Sequence, residues 1–358
     1  MQLTKKSIIG VGCALASGIF LAACNSTSSA SHHAPTSAIS ASSLPSLLLH
    51  QSQLINKATR WNPALAKLVY AGSTRNYSDL AGVLDVKIKN NYPPPGYKDL
   101  YSHLISQSLP ARGSSFPQML LVDASVNTST TNTTAQEGHA QIFLEERTSA
   151  NSPWRIVEEP QTFVSLLPHL QSILSTSVNA KSLVMTPAEA VAATTQSFNA
   201  WENIADQTKS PQYFPQILNY ATSNLTGYEF SSLKEWTETG MFGNKFSSHW
   251  NWSANQSAVG TPITIAVDGG ALVFYNAQLS TTLSAHAGST EYLTVTPYGA
   301  KTKIHAITQQ ANMQYAVFVP SKKPEGSGTQ PSIKVVGVTS FPSQMVGTTI
   351  YGETLPAL

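Results

Sequence analysis

Charged residues are scarce in this chain of 358 residues. Asp, Glu, Lys and Arg together make up 11% of the sequence, and the formal net charge is only +2. A protein that binds nucleic acid through the phosphate backbone usually carries a strongly basic face. The composition therefore argues against nucleic-acid binding, and no nucleic-acid partner is predicted.

Long apolar runs are also missing. The apolar run closest to a membrane span covers residues 8–20. It is shorter than the roughly 20 residues that a transmembrane helix needs. The hydrophobic fraction of 41% is nevertheless large enough to build sizeable cores. The sequence thus predicts a folded body that does not span a membrane.

The N-terminus does carry an export signal. Lys5 and Lys6 precede the apolar run, and the small residues LAA then lead directly into Cys24. This order is typical of a secretory signal peptide. The LAAC sequence resembles a lipobox, at which bacterial lipoproteins are lipidated and cleaved. We therefore predict a signal peptide over residues 1–23, a lipid on Cys24 and a location at the extracytoplasmic face of the cell membrane.

Cysteine is scarce, which limits the disulfide, metal-binding and nucleophilic chemistry that the chain can support. The chain has only Cys13 and Cys24, and removal of the predicted leader would discard Cys13. The processed chain would have no disulfide, no thiolate metal site and no cysteine nucleophile, because the sulfur of its one remaining cysteine, Cys24, carries the lipid. It would also have 19 basic and 19 acidic residues, and so no net formal charge.

Residues 24–43 have almost nothing to bury. They are mainly Ser, Thr, Ala and Pro, a composition that favours a flexible tether. The adjacent His32 and His33 are interpreted as incidental. No metal site and no cofactor are predicted for the chain.

Two longer stretches share one order of elements, helices first and then short strands. In residues 44–180, apolar spacing predicts helices over 44–58 and 63–70, followed by β-prone runs at 116–126, 139–147 and 154–159. In residues 186–345, Thr186 and Glu189 form a capping box that begins a helix. The β-prone runs that follow lie at 263–267, 271–279, 291–296, 302–308, 313–319 and 333–338.

This repetition predicts an α+β fold of two tandem units that are divided near residues 177–185. Each unit is expected to place helices on a bent antiparallel meander, similar to the cone-shaped NTF2-like or cystatin-like fold. Residues 346–358 are predicted to be a C-terminal tail.

Two phrases outside the leader support a family resemblance. SPWRIVEEP at residues 152–160 and DGGALVFY at 268–275, together with the leader, resemble actinobacterial lipoproteins that carry a domain of unknown function. The resemblance covers about residues 45–345. It implies the fold, and it implies no activity or catalytic residue.

Catalytic motifs are incomplete. The G-x-S-x-G elbow of α/β hydrolases and the H-E-x-x-H zinc motif do not occur. A pattern like that of penicillin-recognising enzymes begins at Ser231 and Lys234, but Lys303 stands where its last element needs glycine. An envelope hydrolase is therefore the alternative hypothesis, and no catalytic residue is predicted.

Four glutamates occur as adjacent pairs, and could in principle supply acid and base groups: Glu145, Glu146, Glu158 and Glu159. Neighbouring residues on a strand point to opposite faces, which separates such pairs. We therefore predict that these carboxylates are solvated ends of strands and loops.

The segment 228–252 is unusually aromatic and is predicted to be a long connection. Trp236, Trp250 and Trp252 could line the mouth of a cone, with Tyr275 on the next strand as its floor. Aromatic faces can stack on a sugar-like or lipid-like ligand, or they can pack the connection onto the sheet. Both alternatives stay open. The leading hypothesis is a non-catalytic scaffold or binding module, with the membrane and a cell-wall or envelope protein as partners.

Overall fold

The structure is a computed structural model that describes residues 39–55, 62–87, 100–127, 140–162, 167–202, 246–253, 261–286, 288, 290, 292, 298 and 301–358. The described helices are α1 (Leu44–Ile55), α2 (Pro63–Val69), α3 (Gly72–Lys87) and α4 (Pro187–Glu202). The described strands are β1 (Leu100–Ser108), β2 (Gln118–Asn127), β3 (Ala140–Arg147), β4 (Arg155–Glu158), β5 (Gln161–Thr162), β6 (Phe246–Ser253), β7 (Ile263–Val267), β8 (Gly270–Ala285), β9 (Ile304–Pro320) and β10 (Lys334–Thr349). The predicted α+β class is confirmed.

Helix α3 was not predicted, because the buried face that the structure describes on it mixes hydroxyl groups with apolar side chains. Thr74, Tyr77 and Ser78 are buried on this helix, and Leu84 is the large aliphatic residue that is buried with them. A helix is normally recognised by an apolar stripe with a period of 3.6 residues. α3 instead meets polar partners on the sheet, so this signal is weak. Strand β1 was also missed.

The capping box at the start of α4 is confirmed. The backbone N–H of Glu189 donates to the Thr186 hydroxyl oxygen over 3.2 Å, and the backbone N–H of Thr186 donates to the Glu189 carboxylate over 2.8 Å. These reciprocal bonds satisfy two donors that the helix itself leaves unpaired.

The later strands are longer than expected. The predicted runs at 302–308 and 313–319 belong to one strand, β9, while β8 and β10 each continue for 16 residues. Gln309, Gln310 and Asn312 interrupt the apolar pattern, but the backbone pairing with β8 continues through all three. The predicted run at 291–296 lies mostly outside the described residues.

All ten described strands form one antiparallel sheet, in the order β1-β2-β3-β5-β10-β9-β8-β6, with β4 on β3 and β7 on β8. The short strand β5 joins the two stretches, because it pairs with both β3 and β10. The predicted division near 177–185 stays a prediction about folding units. If such units exist, they share one hydrogen-bonded layer.

Backbone hydrogen bonds also join the two sides of the sheet through residues 172–175. The backbone N–H of Leu109, just after β1, donates to the carbonyl of Ser172, and the N–H of Leu174 donates to the carbonyl of Leu109. One residue further on, the carbonyl of Ser175 accepts from Ala266 on β7. Residues 172–175 therefore connect the end of β1 to β7, and they close a ring of strands around an inner face.

Three clusters of buried side chains stabilise this arrangement. The inner face holds a cluster contributed by strands from both stretches: Leu121, Ile142, Leu144, Val157, Leu170, Ile265, Val267, Leu272, Phe274, Ala316 and Val336. The outer face of β2 and β3 packs under α1 and α2, and the outer face of β8 to β10 packs with α4. Each face of the sheet therefore buries apolar area, which is the main source of its stability.

Helix α3 lies across one end of the inner face. Asn276 lies two residues after Phe274 on β8, and Gln314 lies two residues before Ala316 on β9. Alternate residues of a strand point to the same face, so both amides share the inner face with the apolar cluster. Ser73 and Thr74 at the start of α3 contact these two amides. Further along the helix, the ring of Tyr77 lies 6.0 Å from that of Phe341 on β10.

The two ends of the body differ from the sequence-based boundaries. Ile39, within the predicted tether, packs against the cluster under α1, and a short 3-10 turn spans Ala41–Ser43. At the C-terminus β10 runs to Thr349 and the chain then folds back, since Leu355 and Leu358 donate backbone hydrogen bonds to Gly347 and Met345. The fold therefore extends into both predicted tails.

The close pairing of β8 and β9 can be tested at Gly270. A Cβ atom at this position would lie 2.2 Å from the carbonyl oxygen of Val319 and 2.8 Å from the Cα of Pro320. Neither backbone atom can move without breaking the ladder, so we expect Gly270→Ala to lower the free energy of unfolding by about 3 kcal/mol or more. Urea unfolding would measure the loss.

Gly347→Ala is the matched control. A Cβ there would meet only side-chain atoms, the nearest being a ring carbon of Tyr298 at 3.0 Å. These atoms can shift, so this variant should lose clearly less stability. Equal effects at both positions would contradict the described register.

Candidate functional site

Several predicted site residues lie outside the described residues: Cys24, Ser231, Lys234 and Trp236. Lys303, which breaks the hydrolase pattern, is described, and its ammonium group lies 4.5 Å from the centre of the Tyr292 ring. This contact on the surface gives no support to a catalytic role.

Trp250 and Trp252 belong to strand β6 and not to a long connection, which corrects the prediction for this part of the segment. In the backbone register Trp250 lies opposite Thr281, and Trp252 lies opposite Leu279. The sequence HWNWS alternates polar and aromatic residues with a period of two, the usual signal of a strand. The side chains of both tryptophans lie outside what the structure describes.

Tyr275 is a core residue. Its ring stacks on that of Tyr315 with the centres 5.1 Å apart and an interplanar angle of 18°. Both side chains are buried in the cluster between the outer face of β8 to β10 and α4. Tyr275 therefore offers no open ring face in this structure, and the geometry favours the packing alternative for this residue.

The prediction for the glutamates is wrong for three of the four. Glu145, Glu158 and Glu159 are at most 3% exposed, and only Glu146 is partly exposed. Glu145, on β3, is covered by α1, whose Gln51 contacts it. For Glu158 and Glu159 the expectation failed because β4 is covered from both sides. Helix α3 lies over its end, and the strands β8 to β10 pass beneath it. A bulge between β3 and β4 also disturbs the simple alternation of faces at this point.

Glu145 lies under helix α1. The side-chain amide of Gln51 donates to one of its carboxyl oxygens over 2.7 Å and also reaches the carbonyl of Trp154. The other carboxyl oxygen has no hydrogen-bond partner among the described residues. Burial raises the pKa of Glu145 to about 7, and the bond from Gln51 only partly opposes this rise.

Glu158 lies on the other side of the sheet, in a polar group that Glu159 joins through its backbone N–H. We call this group the junction cluster: Ser73, Thr74, Glu158, Glu159, Asn276 and Gln314. The Asn276 amide donates to Glu158 over 3.1 Å, and the Ser73 hydroxyl donates to the same oxygen over 3.4 Å. Burial raises the pKa of Glu158 to about 8, against the effect of these two hydrogen bonds.

Glu159 is held mainly through its backbone. Its N–H donates to the side-chain oxygen of Gln314, and its carbonyl accepts from Gln141 and from the Thr339 hydroxyl. Burial, and then the nearby charge of Glu158, raise the pKa of the Glu159 carboxyl to about 8, while the Tyr70 side chain acts in the opposite direction. Two adjacent buried carboxyls cannot easily ionise together.

A fourth buried acid, Asp123, also faces the inner side of the sheet. Burial raises its pKa to about 7, and a hydrogen bond with Ser106 on β1 opposes this rise. No ion pair reaches any of these four acids in the part of the chain that the structure describes. The pairs found there are Arg75 with Asp79 and His169 with Asp268, and all four of these side chains are partly exposed or exposed.

Arg147, at the end of β3, is a buried cation among the described residues. Arg147 donates to the side-chain oxygen of Gln118 over 2.6 Å, and its guanidinium lies 4.9 Å from the centre of the Trp154 ring and 5.4 Å from that of Phe116. These contacts pair the guanidinium with two aromatic rings and a neutral amide.

Among the described residues, no three His, Cys, Asp or Glu side chains come together as a possible metal site. None of the described helices has the length and apolar character that a membrane crossing requires. The chemistry that the site supports is the uptake and release of protons by carboxyls that lack cationic partners.

Comparison with known proteins identifies no relative of this chain. No family model matches the chain, and no curated protein and no solved structure is significantly similar to it. The resemblance to actinobacterial lipoproteins therefore stays a prediction, and the function must be argued from the chain itself.

Stability should depend on pH with the opposite sign to that of an ordinary acidic ion pair. The folded pKa values of Glu145, Glu158 and Glu159 lie at about 7 to 8, above the usual 4.5. Their contribution to stability is complete below the unfolded pKa and is lost as pH rises through the folded pKa. We therefore expect the free energy of unfolding to fall between about pH 5 and about pH 8.

Urea unfolding across this range would test the expectation. For Glu145 alone, a rise in pKa from 4.5 to about 7 corresponds to on the order of 3 kcal/mol. Glu145→Gln should therefore flatten part of the slope, whereas Glu146→Gln on the same strand should leave it unchanged. A stability that is constant, or that increases with pH, would contradict burial of these acids.

Proposed function

We propose that the chain is an exported protein that is anchored to the membrane by a lipid on Cys24, and that its folded body acts as a non-catalytic binding or scaffold module. The observation that carries this proposal is the order of features before Cys24: a basic start, a short apolar run and the LAAC sequence. The alternative, a hydrolase built around Ser231 and Lys234, gains no specific support.

The start of the body is compatible with a tether. Residues 24–38 lie between the predicted lipid and Ile39, which packs against the cluster under α1. A flexible chain of this length has a mean reach of about 20 Å, according to the square-root dependence on residue number. Such a reach would hold the body close to the membrane surface while leaving most of it accessible.

The finer fold hypothesis also belongs to this proposal. The order of helices and then strands occurs in both stretches of the chain, which supports two tandem NTF2-like units. Folds of this kind can bind ligands where a curved sheet and its helices leave a concave mouth. Because the strands of both stretches form one sheet, the boundary between the two proposed units is hard to recognise.

The proposed ligand site involves the aromatic segment before β7, with Trp236, Trp250 and Trp252. Trp250 and Trp252 lie on β6, the last strand in the order of the described strands. A sugar-like or lipid-like ligand could stack on such rings. Tyr275 does not take part in this proposal, since it is buried against Tyr315.

The anchor is tested by Cys24→Ala. A protein without this sulfur cannot form the thioether to the lipid, so we expect it to leave the membrane fraction or to accumulate with its leader uncleaved. Mass spectrometry of the N-terminus of the wild-type protein should find a lipid on Cys24. An unlipidated chain that begins at another residue would contradict the proposal. Cys13→Ala is the matched control, because it removes the other cysteine of the chain and leaves the LAAC sequence intact.

The ligand site is tested by comparing Trp250→Ala with Trp252→Ala. Intrinsic fluorescence would be followed while cell-wall fragments and glycans are added, and thermal unfolding would be measured in parallel. If either ring binds the ligand, its loss should abolish the fluorescence response at nearly unchanged stability. If both rings pack in the core, each replacement should instead cost about 3 to 5 kcal/mol, with no response in the parent protein.

A further inference from the structure

The junction cluster connects three parts of the molecule that are far apart in sequence. Ser73 and Thr74 come from helix α3, Glu158 and Glu159 from the end of β4, and Asn276 and Gln314 from β8 and β9. Two hydrogen bonds join α3 to the side-chain amides of Asn276 and Gln314, and in both the acceptor is a hydroxyl group of the helix. The cluster is therefore the polar part of the contact that holds α3 on the inner face.

Gln314 is the central residue of this contact. Its amide nitrogen donates to the Thr74 hydroxyl over 2.7 Å, and its oxygen accepts from the backbone of Glu159 over 3.1 Å. The Thr74 hydroxyl in turn donates to the carbonyl of Val157. One fully buried amide thus joins the helix to the strand that bears both acids.

Polar contacts are part of what holds α3 in place. Among its described side chains, α3 buries the hydroxyls of Thr74 and Ser78 together with Tyr77 and Leu84. The polar part of such a contact depends on its groups being neutral and mutually satisfied. A charge that appears in the cluster would therefore act on α3 first.

Among the described residues, the groups that face the two acids do not include a cation. From α3, Tyr77 faces Glu158, and the surface pair of Arg75 and Asp79 lies 3.7 Å apart on the same helix. From the end of α2, Tyr70 faces Glu159. The strands β8, β9 and β10 contribute the neutral groups of Asn276, Gln314 and Thr339.

On β4 itself, the one basic residue is Arg155. In the strand register it lies opposite Glu146, at the far end of β4 from Glu158. Nothing in the described surroundings therefore stabilises a carboxylate at Glu158 or Glu159 by opposite charge. Loss of a proton from Glu158 would leave a negative charge buried beside Ser73 of α3, and loss of one from Glu159 would leave a negative charge buried beside Glu158. Such a charge is expensive to bury.

We propose that Glu158 and Glu159 form a proton-dependent latch that holds helix α3 across the end of the inner face. With both carboxyls protonated, the cluster is neutral and the helix is closed. When a carboxyl loses its proton to water, the charge is relieved by hydration, and hydration requires α3 to move away from Asn276 and Gln314. The inference does not depend on where the protein is located or on what it binds.

The geometry allows a local opening. The chain before α3 is fixed, since the N–H of Ala71 donates to the carbonyl of Ile156 and Tyr70 bridges to the same residue. Gly72 then begins the helix with a φ of +56°, a conformation that favours glycine. In the proposed opening α3 pivots at Gly72 while α2 and β4 stay in place, and this movement would expose the inner face near Phe274.

Hydrogen exchange of the full chain, read by mass spectrometry, tests the latch. After correction for the intrinsic effect of pH on exchange, we expect the amides of α3 to exchange at least about tenfold faster near pH 9 than near pH 6. The amides of β9 should change much less. The double variant Glu158→Gln and Glu159→Gln, which mimics the protonated form, should remove most of this difference.

Glu145→Gln is the matched control, because it removes an equally buried acid from the opposite side of the sheet, under α1. It should leave the pH response of α3 intact. The wild-type measurement needs no variant, so the test stands even if the double variant fails to fold. Exchange in α3 that is independent of pH, or that rises together with exchange in β9, would overturn the latch. Loss of the α3 response in Glu145→Gln alone would do the same.

Discussion

The structure depends on the pairing of three long strands, β8, β9 and β10. Their ladder is continuous over 15 pairs between β8 and β9, and it supplies one wall of the inner cluster and one wall of the outer cluster. The processed form of the chain would have no disulfide to restrict its unfolded state. Burial on both faces of this ladder must therefore supply most of the stability, and the first stretch of the chain joins it through the short strand β5.

Polar side chains buried inside this arrangement carry a second constraint. A buried amide or carboxyl costs free energy unless its hydrogen bonds are satisfied. Gln314 meets this condition by bonding to Thr74 and to the backbone of Glu159, and Asn276 meets part of it by bonding to Glu158 and Ser73. These bonds fix the position of α3 more specifically than apolar packing would, because each donor must meet one acceptor.

Much of the architecture could be predicted from local patterns. The capping box at Thr186 and Glu189, strand β7 and the strands β2 to β4 follow from residue types and periodicity. Helix α3 could not be recognised, because the partners of its buried Thr74 lie more than 80 residues away on β4 and more than 200 away on β9. The burial of Glu158 and Glu159 depends on that helix. A predicted fold without α3 therefore leaves both acids in solvent, whereas the structure buries them.

The scarcity of charge, the first feature of the sequence, also explains the electrostatics of the junction cluster. In a protein with more Lys and Arg, a buried glutamate pair would usually meet a cation, and its pKa would fall. Here the residue that faces Glu158 from β8 is Asn276, which donates a hydrogen bond but carries no charge. A lysine in its place would favour the ionised form, and the contribution of Glu158 would then be lost as pH falls instead of as pH rises. The choice of a neutral amide at this one position therefore decides the direction in which the contact between α3 and the sheet responds to protons.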